Sequence, residues 1–184
     1  LIELAVPAFG STIQNPGAAL QDFVFDRLAS SLKDGGYTPH EIDAVLSLRP
    51  QRLADVNKRL AAVRAFAALP EAAALAAANK RIVNILRKSG AEAAPRVDRA
   101  RLAAGAEHDL YAAFETLGPK VASSCDAGDY TGALKALATA KPVVDRYFDE
   151  VMVMADDPAV RANRLALLNG VADTMNRVAD LSKL

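Results

Sequence analysis

The chain of 184 residues holds one cysteine, no tryptophan and 5% aromatic residues. Cys125 alone cannot close an internal disulfide, and with two histidines it cannot complete an ordinary four-ligand zinc site. A reducing, cytoplasmic setting is the expectation. The longest uninterrupted apolar run, Ala72 to Ala78, is far short of the roughly 20 residues a membrane span needs. No transmembrane or signal segment, and no membrane partner, is therefore expected. Glycine-rich loops of P-loop or dinucleotide spacing are missing as well, which leaves no nucleotide or other cofactor site to assign.

Catalytic chemistry is equally scarce. His108-Asp109 lacks the additional histidines of a metal-dependent phosphohydrolase, and His108 reads as a helix-surface residue. Ser123-Ser124-Cys125-Asp126 has no histidine nearby in sequence to activate a nucleophile. The acidic residues Asp149, Glu150, Asp156 and Asp157 surround Met152 and Met154, which are expected to fill core gaps rather than bind metal. No catalytic and no metal residue is assigned, and an independent enzyme finds no site.

What is abundant is alanine. Hydrophobic residues make up 52% of the chain with few aromatics among them, a composition that favours helices. Periodicity and caps divide the chain into about eight helical stretches, and no alternating β-branched run argues for a sheet. The fold class is all-α, an antiparallel helical bundle. Residues 1–17, with Pro7, Gly10, Pro16 and Gly17, read as a connecting segment, and the opening Leu-Ile-Glu-Leu suggests a piece of something longer. A first helix starts near Ala18. Thr38-Pro39-His40-Glu41 spells a capping box before Ile42, Val45 and Leu46. Asp157-Pro158 starts a last helix whose apolar positions Val160, Leu167, Leu168, Val171, Met175 and Val178 carry it close to the C-terminus. Pro50, Pro70, Pro95 and Pro142 mark further boundaries, and Ser89 to Ala94 reads as a long loop.

Net charge is zero, but it is unevenly spread. Residues 1–48 carry 2 basic and 6 acidic side chains, residues 49–101 carry 12 and 4, and residues 102–184 carry 8 and 12. A basic middle lies between acidic flanks, the electrostatic footprint of a phosphate binder or, equally, solvated helix surface. Within it, Leu75, Ala78, Ile82, Ile85 and Leu86 share one helix side, while Lys80, Asn84, Arg87 and Lys88 fall within about 100° of arc on the other. Asn79 and Arg81 flank that arc. Arg87 and Lys88 also suit a helix C-terminus through the macrodipole alone.

The segment FDEVMVMADDPAVRANRLALL, from Phe148 to Leu168, resembles the DALR anticodon-binding domain shared by arginyl-tRNA synthetases and the beta subunit of bacterial glycyl-tRNA synthetases. Pro158-Ala159-Val160-Arg161 stands at the naming motif, with proline for the acidic residue and valine for leucine. Both substitutions suit a helix start capped by Asp157. IDAVLSLRPQRLADV, from Ile42 to Val56, and LPEAAALAAANKRIVNILRKSG, from Leu69 to Gly90, are similar to the glycyl beta subunit in particular, and Ala179-Asp180-Leu181-Ser182 looks like its C-terminus. The resemblance implies a helical region over 18–69 followed by a DALR-type domain over 70–184. It also implies a glycine–tRNA ligase in an alpha2beta2 tetramer. The alpha subunit would activate glycine with ATP, while the beta subunit holds glycine tRNA and this stretch carries no aminoacylation site.

The tRNA-binding candidates are Asn79, Lys80, Arg81, Asn84, Arg87 and Lys88, with Arg49, Arg52, Lys58 and Arg59 tracking phosphates. Arg161 and Arg164 fall at the motif positions, although Arg161 is also spaced to pair with Asp157 on the helix surface. With few aromatics available, stacking of bases on arginine is expected. Two alternatives stay open: a helical protein–protein docking domain, and the DALR domain of an arginyl-type synthetase.

Overall fold

The computed structural model describes residue 8, residues 16–90, residue 94 and residues 96–184. Among these residues it contains eight α-helices and no strand. In chain order they are α1 Gly17–Asp34, α2 Pro39–Leu46, α3 Val56–Ala67, α4 Ala72–Lys88, α5 Ala106–Asp126, α6 Tyr130–Ala138, α7 Lys141–Glu150 and α8 Pro158–Met175. A closing 3-10 turn spans Leu181–Lys183.

Helix starts follow the local chemistry of the sequence. Thr38 accepts from the Glu41 N–H at 3.2 Å while the Glu41 carboxylate accepts from the Thr38 N–H at 2.7 Å, a complete capping box with Pro39 at the first helical position. Asp157 caps α8 by accepting from Ala159 at 2.7 Å and Val160 at 3.3 Å. Asp129 does the same for α6 through Gly132 at 2.8 Å. Pro119 lies inside α5, where it forgoes the backbone bond to Glu115 without ending the helix.

One hydrophobic core runs through the described residues from Leu32 to Leu181. Helix α6 packs against both α5 and α3, and α4 lies against α8 and the closing turn. Helix α3, before residue 70, and α6, after it, pack into the same core.

Two expectations need correction. The last helix stops at Met175, well before the C-terminus, because Asn176 leaves helical geometry and the chain turns inward. Val178, Ala179 and Leu181 are all fully buried beyond that point, and the Asp180 N–H donates to the Ala44 carbonyl at 2.7 Å. Met152 and Met154 are not core fillers either. After α7 the backbone is extended at Val151, so alternate side chains face opposite ways. Val153 points inward at 6% exposure, while Met152 and Met154 point outward at 75% and 46%. The end of α4 falls where the sequence places it, at Lys88, with Gly90 at a positive φ of 55° just beyond. The remainder of the expected loop, residues 91–93, lies outside the described residues, as do Pro95, Pro7 and Gly10.

Candidate nucleic-acid interface

Helix α4 presents its buried stripe through Ala72, Leu75, Ala76, Asn79 and Ile82. Asn79 is therefore a core residue, contrary to its expected place beside the basic arc. It is fully buried, and its Nδ2 donates to Asn176 Oδ1 at 2.7 Å. Asn176 Oδ1 also accepts from the Leu181 N–H at 3.0 Å, so the pair fixes the turn after α8. The spacing Ala72, Leu75, Asn79, Ile82 already places Asn79 on the apolar side, which makes it an interior polar group that must find a partner.

The rest of the arc stays in solvent. Lys80, Arg81, Arg87 and Lys88 are exposed and Asn84 is half-buried. Much of the basic block elsewhere is neutralised. Arg49 pairs with Asp22 at 2.6 Å, Arg64 with Glu41 at 2.8 Å and Arg101 with Asp98 at 3.2 Å, while Arg99 pairs with Glu115. Among the described residues, Lys80, Arg81, Arg87 and Lys88 form no ion pair. Four of the uncompensated cations of the basic middle thus stand on α4, with Lys58, Arg59 and Arg96 outside it.

A groove of about 600 Å³ runs along this face, lined by Ala77, Arg81, Asn84, Ile85, Lys88 and Met154, with Ser89 at its end. Arg81 lies over the Phe148 ring with 4.3 Å from guanidinium carbon to ring centroid. One face of the guanidinium is thus backed by an aromatic ring, and the opposite face is the one a ligand can stack on. Arg87 donates through Nη2 to Asn84 Oδ1 at 2.9 Å, so the Asn84 carbonyl oxygen is engaged and its NH₂ is the group left to donate. Lys80 borders a different hollow, beside Ser182 and Leu184.

The remaining candidates separate by what they touch. Arg164 is structural: its Nε donates to Glu107 at 2.5 Å and its Nη1 to the Met152 carbonyl at 2.7 Å. Glu107 is 1% exposed. Arg161 donates to the Ala155 carbonyl at 2.7 Å and makes no ion pair with Asp157, whose carboxylate is occupied by the helix cap. Arg59 stacks on Tyr130 and donates to the Arg177 and Val178 carbonyls, which clamps the turn after α8 and fixes the guanidinium in place. Arg49, at a positive φ of 47°, is tied to Asp22 and stacked near Phe25. Arg52 is 82% exposed and rests 3.5 Å from Asp55, and Lys58 is exposed.

Neither Phe148 nor Met154 is among the tRNA-binding candidates drawn from the sequence, where Met154 is expected in the core. The signal was present: Val144 and Tyr147 are the buried positions of α7, and Phe148, four residues after Val144, falls at the edge of that stripe where a ring can be shared with a neighbouring helix. His108 is exposed on α5 as expected. Burial pushes the Cys125 thiol up from its ordinary value, which disfavours the thiolate a nucleophile requires.

Comparison with known proteins gives a consistent result. Residues 75–182 match the family described as the DALR anticodon binding domain. Over all 184 residues the chain is 53% identical to the glycine–tRNA ligase beta subunit of Delftia acidovorans (strain DSM 14801 / SPH-1), of which it covers 26%. It is 55% identical to that of Paracidovorax citrulli (strain AAC00-1) and 56% identical to that of Leptothrix cholodnii (strain ATCC 51168 / LMG 8142 / SP-6), again covering 26% of each. The chain thus spans about a quarter of the length of these relatives.

Proposed function

Because the chain belongs to the DALR anticodon-binding domain family, we propose that it serves as the anticodon-reading region of a glycine–tRNA ligase beta subunit. The observation that carries this reading is the α4 groove, lined by the unpaired cations Arg81 and Lys88 with the Arg81 guanidinium backed by Phe148, while Lys80 and Arg87 stand unpaired elsewhere on the same helix. Unstacked loop bases are recognised by stacking on aromatic or guanidinium planes and by hydrogen bonds along their base-pairing edges. The outer face of Arg81 supplies the plane. Met154 and Ile85 supply apolar walls, and the Asn84 NH₂ can donate to a ring nitrogen or carbonyl acceptor. The Arg87 and Lys88 carbonyls, which follow the Ile85 and Leu86 carbonyls that Ser89 satisfies, lie at the same end and suit an exocyclic amine. Together these match cytosine, which offers one amino donor and two acceptors. Lys80, Arg87 and Lys88 supply salt-sensitive attraction to the neighbouring phosphates.

In this reading the chain works within a longer polypeptide. Aminoacylation is carried out with a separate alpha subunit, which uses ATP and glycine in an alpha2beta2 assembly in the cytoplasm. The chain itself contributes tRNA recognition and no catalytic group or cofactor site. A second reading, docking against other parts of such an enzyme, is favoured by Leu20, Phe23 and Val24, which leave one side of α1 apolar at 41%, 54% and 36% exposure.

Binding of glycine tRNA at several salt concentrations, beside a tRNA whose two anticodon cytosines are changed, separates the two. Anticodon reading gives an affinity that falls with salt and falls again with the altered anticodon. Affinity indifferent to both leaves docking as the function.

A further inference from the structure

Away from the groove, the start of α3, the α5–α6 turn and the segment after α8 enclose a cavity of about 410 Å³. Its walls include Arg52, Asp55, Arg59, Cys125, Tyr130 and Arg177. Arg59 is fixed in its wall by the Tyr130 ring, 4.5 Å from guanidinium carbon to centroid, and by donation from Nη1 to the Arg177 carbonyl at 3.0 Å and the Val178 carbonyl at 2.7 Å. Its Nε–H is buried with no acceptor. Native chains seldom leave such a donor unmet, since the lost solvation is not recovered.

The surroundings are cationic. Arg52 is 82% exposed with only a 3.5 Å contact to Asp55, Arg177 is exposed, and the Lys58 ammonium stands over Gly128 in the α5–α6 turn. Among the described residues Lys58, Arg59 and Arg177 form no ion pair. The carboxylates nearby are partly committed: Asp55 to Arg52 at 3.5 Å and Asp129 to the α6 cap, leaving Asp126 at the rim.

We propose that this cavity is a second anion site that takes a phosphodiester of the bound RNA outside the anticodon, with the exposed guanidinium groups of Arg52 and Arg177 donating to the phosphate over the fixed, uncompensated charge of Arg59. The choice of RNA as the source rests on the anticodon-reading function above. A phosphate contact of this kind fixes register on the RNA without reading sequence.

Cys125 lines the same cavity and reports its occupancy. In the full-length polypeptide, alkylation of Cys125 by iodoacetamide, followed by peptide mass spectrometry, is expected to slow severalfold with glycine tRNA and with millimolar inorganic pyrophosphate. The R52A/R177A variant is expected to lose both protections. The same variant should bind glycine tRNA and its anticodon-altered form about tenfold more weakly each, with a salt slope smaller by about one to two. R52A alone, at a position 82% exposed, keeps the test available should the double variant unfold.

Unchanged alkylation under both ligands overturns the site, and protection by pyrophosphate without protection by tRNA overturns its assignment to RNA. A change in the ratio of affinities for the two tRNAs in R52A/R177A also overturns it, since a phosphate clamp carries no base information. Failure of the anticodon reading shows separately, as equal affinity of the parent protein for the two tRNAs while protection of Cys125 by tRNA persists.

Discussion

The Arg164 guanidinium is bonded through Nε to the carboxylate of Glu107 at 2.5 Å, and that carboxylate also accepts from the Ala103 N–H at 3.1 Å. Removing the cation leaves a charge buried at 1% exposure with only a backbone partner. Arg164→Ala is accordingly expected to lose about 3–5 kcal/mol of unfolding free energy in urea titration, and Glu107→Gln combined with Arg164→Met is expected to lose less. If Arg164→Ala keeps the parent's stability but binds tRNA weakly, Arg164 belongs to the RNA interface after all.

The two asparagines of α4 should part company. Asn79→Ala breaks the buried bond to Asn176 and is expected to cost about 1–3 kcal/mol, without altering tRNA affinity once the protein is folded. Asn84→Ala should stay within about 0.5 kcal/mol of the parent and weaken discrimination between glycine tRNA and its anticodon variant. Paired thermal melts and binding curves on both variants decide the assignment.

Arg81 and Phe148 form one platform. Arg81→Ala removes the stacking plane and is expected to weaken glycine tRNA binding about tenfold or more, with circular dichroism unchanged because the side chain is exposed. Phe148→Leu keeps the charge but not the backing ring, so base discrimination should fall while the salt slope stays. Equal loss for cognate and altered tRNA in Arg81→Ala would reduce Arg81 to a phosphate contact.

Acid sensitivity follows from Glu41. Hydrogen bonding from Arg64, helped by the Thr38 backbone, holds its carboxyl at about 2 against an ordinary 4.5. The folded chain therefore binds fewer protons than the unfolded one between those values. The stabilisation is complete above pH 4.5 and is lost as the pH falls toward 2. Glu41→Gln should cost about 1–2 kcal/mol at neutral pH, and denaturation curves of parent and variant should converge on acidification through that window.

Tyr147 gives a prediction of opposite sign. Its hydroxyl is buried without a partner, and burial pushes its ionisation above the ordinary tyrosine value. Tyr147→Phe removes an unmet polar group while keeping the ring, so stability should be unchanged or higher by up to about 1 kcal/mol. A loss of more than that amount in urea titration would mean that the hydroxyl is satisfied in solution.

How far the sequence carried is clear from particular residues. Thr38, Pro39, Glu41, Asp157 and Pro158 announce helix starts because capping depends on neighbours three residues away, and both starts stand in the structure. The all-α class followed from alanine content in the same local way. The end of α8 was not legible: Val178 keeps helical phase with Met175, and what stops the helix is Asn176 held by Asn79, a partner 97 residues away. Charge counting found the basic middle but could not see that Arg64 and Arg99 are neutralised by Glu41 and Glu115, or that Phe148 backs Arg81. Those are tertiary pairings, and a one-dimensional count is blind to them.

The inward turn after α8 also sets an order of events during synthesis. Ala44 must wait for Asp180, Asn79 for Asn176, and Asp43 for Lys183, whose ammonium lies 2.8 Å from its carboxylate. At translation rates of about 5–20 residues per second, the early helices stand without these closing contacts for on the order of ten seconds. Leu75, Ile82 and their neighbours on α4 stay partly uncovered for much of that interval, until α8 and the residues after it emerge. A nascent chain paused before residue 176 should accordingly be captured by chaperones and cleaved readily, and both liabilities should end together once the closing turn clears the ribosome.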